Sequence, residues 1–318
     1  MNSRDLDRRG FLKRAVLLPA AAAGLAAPAV IRAAPPIVRT GGPKLKLSLN
    51  AYSFNDVLQA GLAGKPGGVS LFDVLDFCAQ HDFEAIDPTG YYFPGYPAVP
   101  GRDFINRFKR RAFQLGLDIS GTGIRNDFAQ PDPAKRAADL QRAKAWIEAA
   151  AELGAPVLRV FAGAVPGGYE QKWDEVAAWM TDALGECAAH GAKHGVMVGV
   201  QNHGDMLRSA AECLKIVNAV NSDWFGLIVD TGNMLVGDPY AEIARVVPSA
   251  VNWQVKEGTH ALARGHPTDL PRLLKIIHDG GYRGYVPIET LDFHDAPYDP
   301  FQLVPVFAAR VRAALHDL

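Results

Sequence analysis

Polar and charged side chains stand at the ends of four apolar segments in the second half of the chain. They are Gln201, Asn202 and His203 in the first segment, Asp230 in the second, Gln254 and Lys256 in the third, and Glu289 in the fourth. An unpaired carboxylate is costly to bury. The two acidic side chains, Asp230 and Glu289, therefore predict a partner that both of them share.

The elements that must position these side chains alternate between apolar runs and helix-period segments. Eight runs are expected as strands, at residues 45–54, 85–88, 117–122, 157–162, 196–203, 225–230, 251–256 and 285–290. Glycines are expected to end several helices just before the next strand, because Gly readily adopts the left-handed cap. These glycines are Gly116, Gly154, Gly195 and the pair Gly280-Gly281. Short strands that alternate with helices pair in parallel through right-handed crossovers.

Eight such units without a long insertion predict a (β/α)8 TIM barrel of the α/β class, a single domain over residues 44–318. A doubly wound open sheet is the alternative, but no Gly-rich nucleotide-binding turn follows the first run. Active sites of these barrels lie at the carboxyl ends of the strands. The polar strand ends therefore predict one pocket at that end of the barrel.

The loops at the same end carry groups suited to a sugar. The segment 89–97 is rich in aromatic rings that can stack on a pyranose, although packing as a lid or at a subunit contact is the alternative. Arg159 can bind an anionic group or pair with a neighbouring acid. The candidate substrate contacts outside the four polar strand ends are Asn50, Tyr52, Tyr91, Tyr92, Arg125, Arg159 and His260.

The order of the strand endings resembles the xylose isomerase-like barrel family of sugar isomerases, epimerases and dehydratases, over residues 45–315. In that family the metal ligands are typically a Glu before Asn-His on the fifth strand, an Asp on the sixth, a His on the seventh and a Glu on the eighth. Asp230 and Glu289 match the acidic positions of the last three strands, and Asn202-His203 keeps the rest of the fifth-strand motif.

Three positions depart from that pattern. Gln201 stands where Glu is usual, Gln254 where His is usual, and Asn233 where ketose epimerases tend to carry a His. The resemblance implies a metal site formed by Gln201, Asp230, Gln254 and Glu289, with Asn202 and Asn233 close to the substrate. Such an all-oxygen set favours Mn2+, Mg2+ or Ca2+ over Zn2+. An ion pair of Lys256 with Asp230 or Glu289, in place of any metal, is the alternative.

The same departures bear on the reaction. A symmetrical 3-epimerase needs a base on each face of the substrate, and Gln201 removes one of them. Glu289, Lys256 and His203 remain as candidate catalytic groups. The resemblance therefore implies a metal-dependent sugar isomerase/epimerase-like enzyme acting on a carbohydrate or keto-sugar through an enediolate-type intermediate. A lyase that performs β-elimination and a non-catalytic carbohydrate-binding barrel are the alternatives.

Residues 1–34 predict an export signal of the twin-arginine type, followed by a short linker to about residue 43. Arg8-Arg9 precede Phe11, and an apolar, alanine-rich stretch covers residues 15–30. This stretch contains two prolines and is short for a membrane span, which needs ~20 residues. We therefore expect an exported periplasmic protein that is cleaved or loosely tethered and has no stable membrane span; a permanent membrane anchor is the alternative.

The charge balance limits the partners. The chain of 318 residues has 33 basic and 34 acidic side chains, so no strong field attracts nucleic acid. The same barrel resembles apurinic endonucleases, but their His-rich zinc cluster and basic face are not visible in the sequence. We expect a small-molecule carbohydrate as the partner, and the family resemblance favours a homo-oligomer. Three cysteines, each in a separate helical segment, are expected as buried thiols.

Overall fold

Nine short parallel strands form the centre of this computed structural model, which describes residues 34–204, 206–259, 266–291 and 297–318. The strands are β1 (Lys44–Asn50), β2 (Ala85–Asp87), β3 (Asp118–Ile119), β4 (Thr122–Gly123), β5 (Val157–Phe161), β6 (Met197–Gln201), β7 (Phe225–Asp230), β8 (Ala250–Lys256) and β9 (Arg283–Glu289). Residues 1–33 of the predicted export signal lie outside the described residues. Within them, no helix has both the length and the apolar character that a membrane crossing requires.

The strands close into the predicted TIM barrel. β1 pairs with β2 on one side and with β9 on the other, and β9 continues through β8, β7, β6 and β5 to β4. β3 and β4 are the two halves of one predicted strand, and they are separated by Ser120 and Gly121. β3 pairs with β2 while β4 pairs with β5, so this one segment joins the two ends of the sheet.

Nine α-helices surround the strands in the described part of the chain. They are α1 (Asn55–Leu62), α2 (Leu71–Gln80), α3 (Arg102–Gln114), α4 (Pro133–Leu153), α5 (Trp173–His194), α6 (Ala210–Val220), α7 (Pro239–Val246), α8 (Leu270–Asp279) and α9 (Pro300–His316). The left-handed glycine caps are confirmed at Gly154 and Gly195, which end α4 and α5 with φ values of 80° and 71°. Large apolar side chains such as Trp146, Phe108 and Phe307 are buried in the core.

The first predicted strand is wrong at its end. β1 stops at Asn50, and residues Ala51–Phe54 form a 3-10 turn that leads into α1. The side chain of Asn50 causes this stop, because its Oδ1 accepts a hydrogen bond from the backbone N–H of Tyr52 at 2.9 Å. An Asn side chain that bonds the backbone two residues later competes with the strand. Tyr52 therefore follows the strand instead of belonging to it.

The segment 35–43, expected only as a linker, lies across the amino-terminal ends of the strands. The backbone N–H of Ile37 donates to the carbonyl of Pro248 at 3.1 Å. Arg283, at the start of β9, donates from Nη1 to the carbonyls of Gly41 and Gly42, each at 3.0 Å. This end of the barrel is opposite to the end where the polar side chains gather.

Candidate active site

A cavity of about 730 Å³ opens at the carboxyl ends of the strands. Most of the candidate site residues line it, namely Asn50, Tyr52, Tyr91, Arg125, Arg159, Gln201, His203, Asn233, Gln254, Lys256 and Glu289. Asp230 is fully buried beside them, at the end of β7. Tyr92 is buried elsewhere, where its hydroxyl donates to Asn55 Oδ1 at 2.9 Å. His260 lies outside the described residues.

Three buried ionisable side chains form the floor of the cavity. Lys256 Nζ donates a hydrogen bond to Glu289 Oε1 and lies 3.5 Å from Asp230 Oδ2. The three side chains are 6%, 3% and 0% exposed, respectively. The strand register brings these side chains together. Lys256 on β8 pairs directly with Glu289 on β9, and β8 also pairs with β7, which ends at Asp230. Two carboxylates thus share one ammonium group.

Gln201 completes this cluster from β6. Its Nε2 donates to Asp230 Oδ2 at 2.7 Å and to Gln254 Oε1 at 2.6 Å. Because the Asp230 carboxylate is an acceptor, the amide presents its nitrogen to it. The remaining oxygen, Gln201 Oε1, is buried and has no hydrogen-bond partner among the described residues.

Asn202 holds the end of β7 in place. Its Oδ1 accepts from the backbone N–H of Asp230 at 2.7 Å, and its Nδ2 donates to the carbonyl of Asp230 at 2.9 Å. The backbone N–H of Gly232 donates to Asp230 Oδ1 at 2.9 Å. These bonds orient the Asp230 carboxylate. The substrate contact expected of Asn202 stays a prediction.

Burial and charge set the protonation of the cluster. Burial alone lowers the pKa of Lys256, but attraction by Asp230 and Glu289 outweighs it, so this pKa lies above its ordinary value. Burial raises the pKa of Glu289, against the effect of Lys256 and with that of Asp230. Burial also lowers the pKa of His203, whose ring is still open to solvent through the cavity. His203 is therefore poised as a neutral imidazole at neutral pH.

The opposite wall of the cavity is aromatic and basic. Arg159 Nη2 donates to the hydroxyl of Tyr91 at 2.7 Å, and Nη1 donates to the carbonyl of Ile124 at 2.8 Å. A side chain at Gly123 would place its Cβ 2.6 Å from Arg159 Nε, so glycine there leaves room for the guanidinium. Arg125 lies over the Tyr91 ring, 4.5 Å from its centroid. This wall offers a ring face beside two positive charges.

Asp87 is a buried acid that the sequence analysis missed. It ends β2, and its Oδ2 lies 3.5 Å from Asn252 Nδ2 inside the barrel. Burial raises the pKa of Asp87 to about 7, against the effect of Arg159 and with that of Glu289. The sequence did contain a signal for it, because Asp87 stands next to the end of the second apolar run and Asp230 stands at the end of the sixth.

The cluster of Lys256, Asp230 and Glu289 does not fit a divalent ion as it is arranged. The Lys256 ammonium contacts both carboxylates, which are the strongest ligands in the predicted set. The amide nitrogen of Gln201, which cannot bind a cation, points at Asp230 Oδ2 and Gln254 Oε1. A metal bound by these four oxygen ligands would require both Lys256 and the Gln201 amide to turn away.

A different group of potential metal ligands lies on the outer face of the barrel. Glu148 of α4 and His190 and His194 of α5 offer atoms within 4.8 Å of one another. His190 Nε2 and Glu148 Oε1 are 3.0 Å apart, and the two imidazole rings are separated by 4.6 Å between centroids. Histidine residues four positions apart on one helix share a face, which suits a transition metal.

Solved structures with the same architecture are numerous. A 3-keto-D-glucoside 4-epimerase from E. coli, in its apo form, is 14% identical, with a TM-score of 0.64 over 85% of this chain and 99% of that chain. A D-psicose 3-epimerase from Clostridium cellulolyticum H10, solved with D-tagatose, is 13% identical, with a TM-score of 0.69 over 85% and 99%. The IOLI protein with a bound zinc atom is 15% identical, with a TM-score of 0.64 over 86% and 97%.

At identities of 13%, 14% and 15%, these similarities establish the fold alone. No curated protein matches the sequence of this chain. The family model described as the xylose isomerase-like TIM barrel matches residues 75–303, which is well over half of the chain and contains all four polar strand ends. The chain belongs to the xylose isomerase-like TIM-barrel family.

Proposed function

We propose that this protein is a sugar isomerase- or epimerase-like enzyme that acts on a carbohydrate or keto-sugar through an enediolate-type intermediate. The observation that carries the proposal is the buried group of Lys256, Asp230 and Glu289 at the floor of a cavity of about 730 Å³. That volume is in the range of small-molecule sites. Buried ionisable groups at the carboxyl ends of barrel strands are typical of catalytic centres.

The chemistry follows from the charges in this group. An ammonium group placed against a substrate oxygen stabilises negative charge that develops there, and it does so strongly in a buried site. Glu289, whose pKa is raised by burial, is suited to remove a proton from the carbon next to a carbonyl and to return it. The neutral His203 at the rim is suited to carry a proton between the hydroxyl groups of the intermediate.

The substrate class is supported by the cavity wall and by the neighbours. The Tyr91 ring and the Arg125 guanidinium offer a stacking surface and hydrogen-bond donors. Two of the similar structures are epimerases of a 3-keto-D-glucoside and of D-psicose. One base beside one electrophile suits an aldose–ketose isomerisation, and it also suits β-elimination next to a ketone, which makes a lyase the alternative reaction.

A non-catalytic carbohydrate-binding role is the second candidate. Gln201 favours it, because an amide stands where the family pattern carries a carboxylate and because its nitrogen is bonded to Asp230 and Gln254. A site that has lost a base can retain a sugar without converting it.

Hydrogen exchange separates these candidates. The protein is incubated with ketoses and 3-keto-glycosides in D2O, and deuterium at the carbons next to the carbonyl is followed by NMR. We expect incorporation by the wild type and a loss of about a hundredfold or more in Glu289→Gln. Glu148→Gln, the same change on the outer face, is the matched control and should retain the rate. A sugar that raises the melting temperature without exchange would support the binding role, and an unsaturated product would support the lyase.

The proposal extends to the cellular location. We place the enzyme in the periplasm on the strength of the Arg8-Arg9 signal, and retention in the cytoplasm after Arg8→Lys with Arg9→Lys would test this. The Mn2+, Mg2+ or Ca2+ ion that the family resemblance implies for Gln201, Asp230, Gln254 and Glu289 is not part of this proposal, because Lys256 and the Gln201 amide contact the carboxylates that would hold it. The exchange reaction proposed above does not depend on which cation neutralises the two carboxylates.

A further inference from the structure

The cation shared by Asp230 and Glu289 comes from the chain itself. We propose that the ammonium group of Lys256 takes the place that a divalent ion holds in metal-dependent barrels of this shape, so that the site works without a metal. The inference rests on the proposed function only for the location of the site. It concerns which cation occupies that site, whether or not a sugar is turned over.

Two hydrogen bonds position the backbone of Lys256 beside the two carboxylates. The N–H of Lys256 donates to Thr231 Oγ1 at 2.9 Å, and its carbonyl accepts from Thr268 Oγ1 at 2.8 Å. The residue thus bonds to side chains from two flanking loops and pairs with Glu289 in the sheet. The side chain is 6% exposed, so it has little freedom to leave the carboxylates for solvent.

The charge count favours an ammonium group over a divalent ion. The family pattern of Glu, Asp, His and Glu carries three negative charges, which become −1 with a divalent ion. Here Asp230 and Glu289 carry two negative charges, which become −1 with the ammonium of Lys256. Adding a divalent ion as well would leave a net charge of +1 in a buried site, which is costly.

Gln201, which stands where the family pattern has a Glu, fits the same replacement of a metal by the Lys256 ammonium. A carboxylate at position 201 would lie as close to Asp230 Oδ2 as the present amide nitrogen, at 2.7 Å, and the two would repel each other. A divalent ion offsets that repulsion, whereas a single ammonium group already shared with Glu289 does not. The amide instead donates to Asp230 and Gln254 and occupies the oxygens that a metal would need. Gln201 and Lys256 therefore form one consistent alternative to a metal centre.

Metal stoichiometry tests the inference with Mn2+ alone as the probe. All proteins carry His190→Ala and His194→Ala, which remove the outer-face ligands. Bound Mn2+ is measured by elemental analysis after gel filtration and by electron paramagnetic resonance at millimolar Mn2+. We expect no stoichiometric binding by this parent protein, and about one equivalent after the further changes Gln201→Glu and Lys256→Ala.

One result would overturn the inference: about one equivalent of Mn2+ in the parent protein that disappears in Asp230→Asn. If the variant with four substitutions does not fold, as judged by circular dichroism, the parent protein and its Asp230→Asn variant decide the question. The readout needs no substrate. A protein that exchanges no sugar hydrogen can therefore still confirm the inference, and a metal in the parent protein would leave the proposed reaction standing.

Discussion

The mouth of the barrel and its outer face between α4 and α5 both gather side chains that can bind metals, but in opposite surroundings. At the mouth, Asp230 and Glu289 are buried around Lys256. On the outer face, Glu148 and His194 are exposed, and no ammonium group takes part in the cluster as described. The outer face has the ligand types that zinc prefers, whereas the mouth has the cavity. The difference shows that ligand type alone does not indicate where a functional site lies. Buried carboxylates need a cation to balance their charge, whereas exposed ligands are solvated by water.

The largest expected effect contrasts the two regions directly. Lys256→Met leaves two buried carboxylates without their cation and should lower the free energy of unfolding by about 3–5 kcal/mol. Lys144→Met removes a cation from the outer face, where Lys144 Nζ lies 2.6 Å from Glu186 Oε2 and Glu186 is 58% exposed. That change should cost less than about 1 kcal/mol. Urea unfolding measures both, and equal losses would break the contrast between mouth and surface.

The next prediction concerns Asp87, a buried carboxyl group whose pKa is raised mainly by burial. Asp87 is neutral in the folded protein below a pH of about 7, but it ionises near its ordinary pKa when the chain unfolds. Unfolding therefore releases a proton between these two values, and the stability contributed by Asp87 falls as the pH rises through that window. Asp87→Asn removes the titrating carboxyl group and therefore also removes this fall in stability at higher pH.

The advantage of Asp87→Asn over the wild type in free energy of unfolding should widen by about 2 kcal/mol between about pH 5 and about pH 8. Denaturant titrations at several pH values measure this difference. Asp118→Asn, at a carboxylate on the surface whose pKa is lowered by its bond with Tyr285, is the control and should not gain stability as the pH rises. A constant gap for Asp87→Asn would mean that this carboxyl titrates normally.

The smallest effect concerns the outer face. His190→Ala with His194→Ala should abolish zinc binding by the Glu148 cluster and should change the free energy of unfolding by less than about 0.5 kcal/mol. Calorimetry with zinc and urea unfolding provide the two readouts. Loss of sugar exchange in this variant would show that the two regions are coupled, contrary to the proposal.

The sequence predicted the barrel well because periodicity and glycine caps are local signals. All eight predicted strands are present, but the third is broken into β3 and β4 by a gap at Ser120 and Gly121. The overlong first strand has a similar cause, since a side-chain bond from Asn50 redirects the backbone. Such competition between a side chain and a strand depends on geometry that periodicity does not contain.

Within the site, the strand ends were predictable but their contacts were not. Gln254 and Lys256 are two residues apart on β8 and so share one face, and both line the cavity. Whether Lys256 reaches Glu289, Asp230 or solvent depends on the register between three strands, which are distant in sequence. Asp87 was missed for a related reason, because its closed surroundings come from β8 and the broken third strand.

The segment that crosses the lower end of the barrel has a practical consequence. Arg283 holds Gly41 and Gly42, and Ile37 is bonded to Pro248, so the chain reaches β1 from the side opposite the cavity. A surface linkage or affinity tag attached ahead of this segment would hold the protein by the amino-terminal ends of its strands. Immobilised in that orientation, the protein would present the cavity at the carboxyl ends of its strands to the flowing solution.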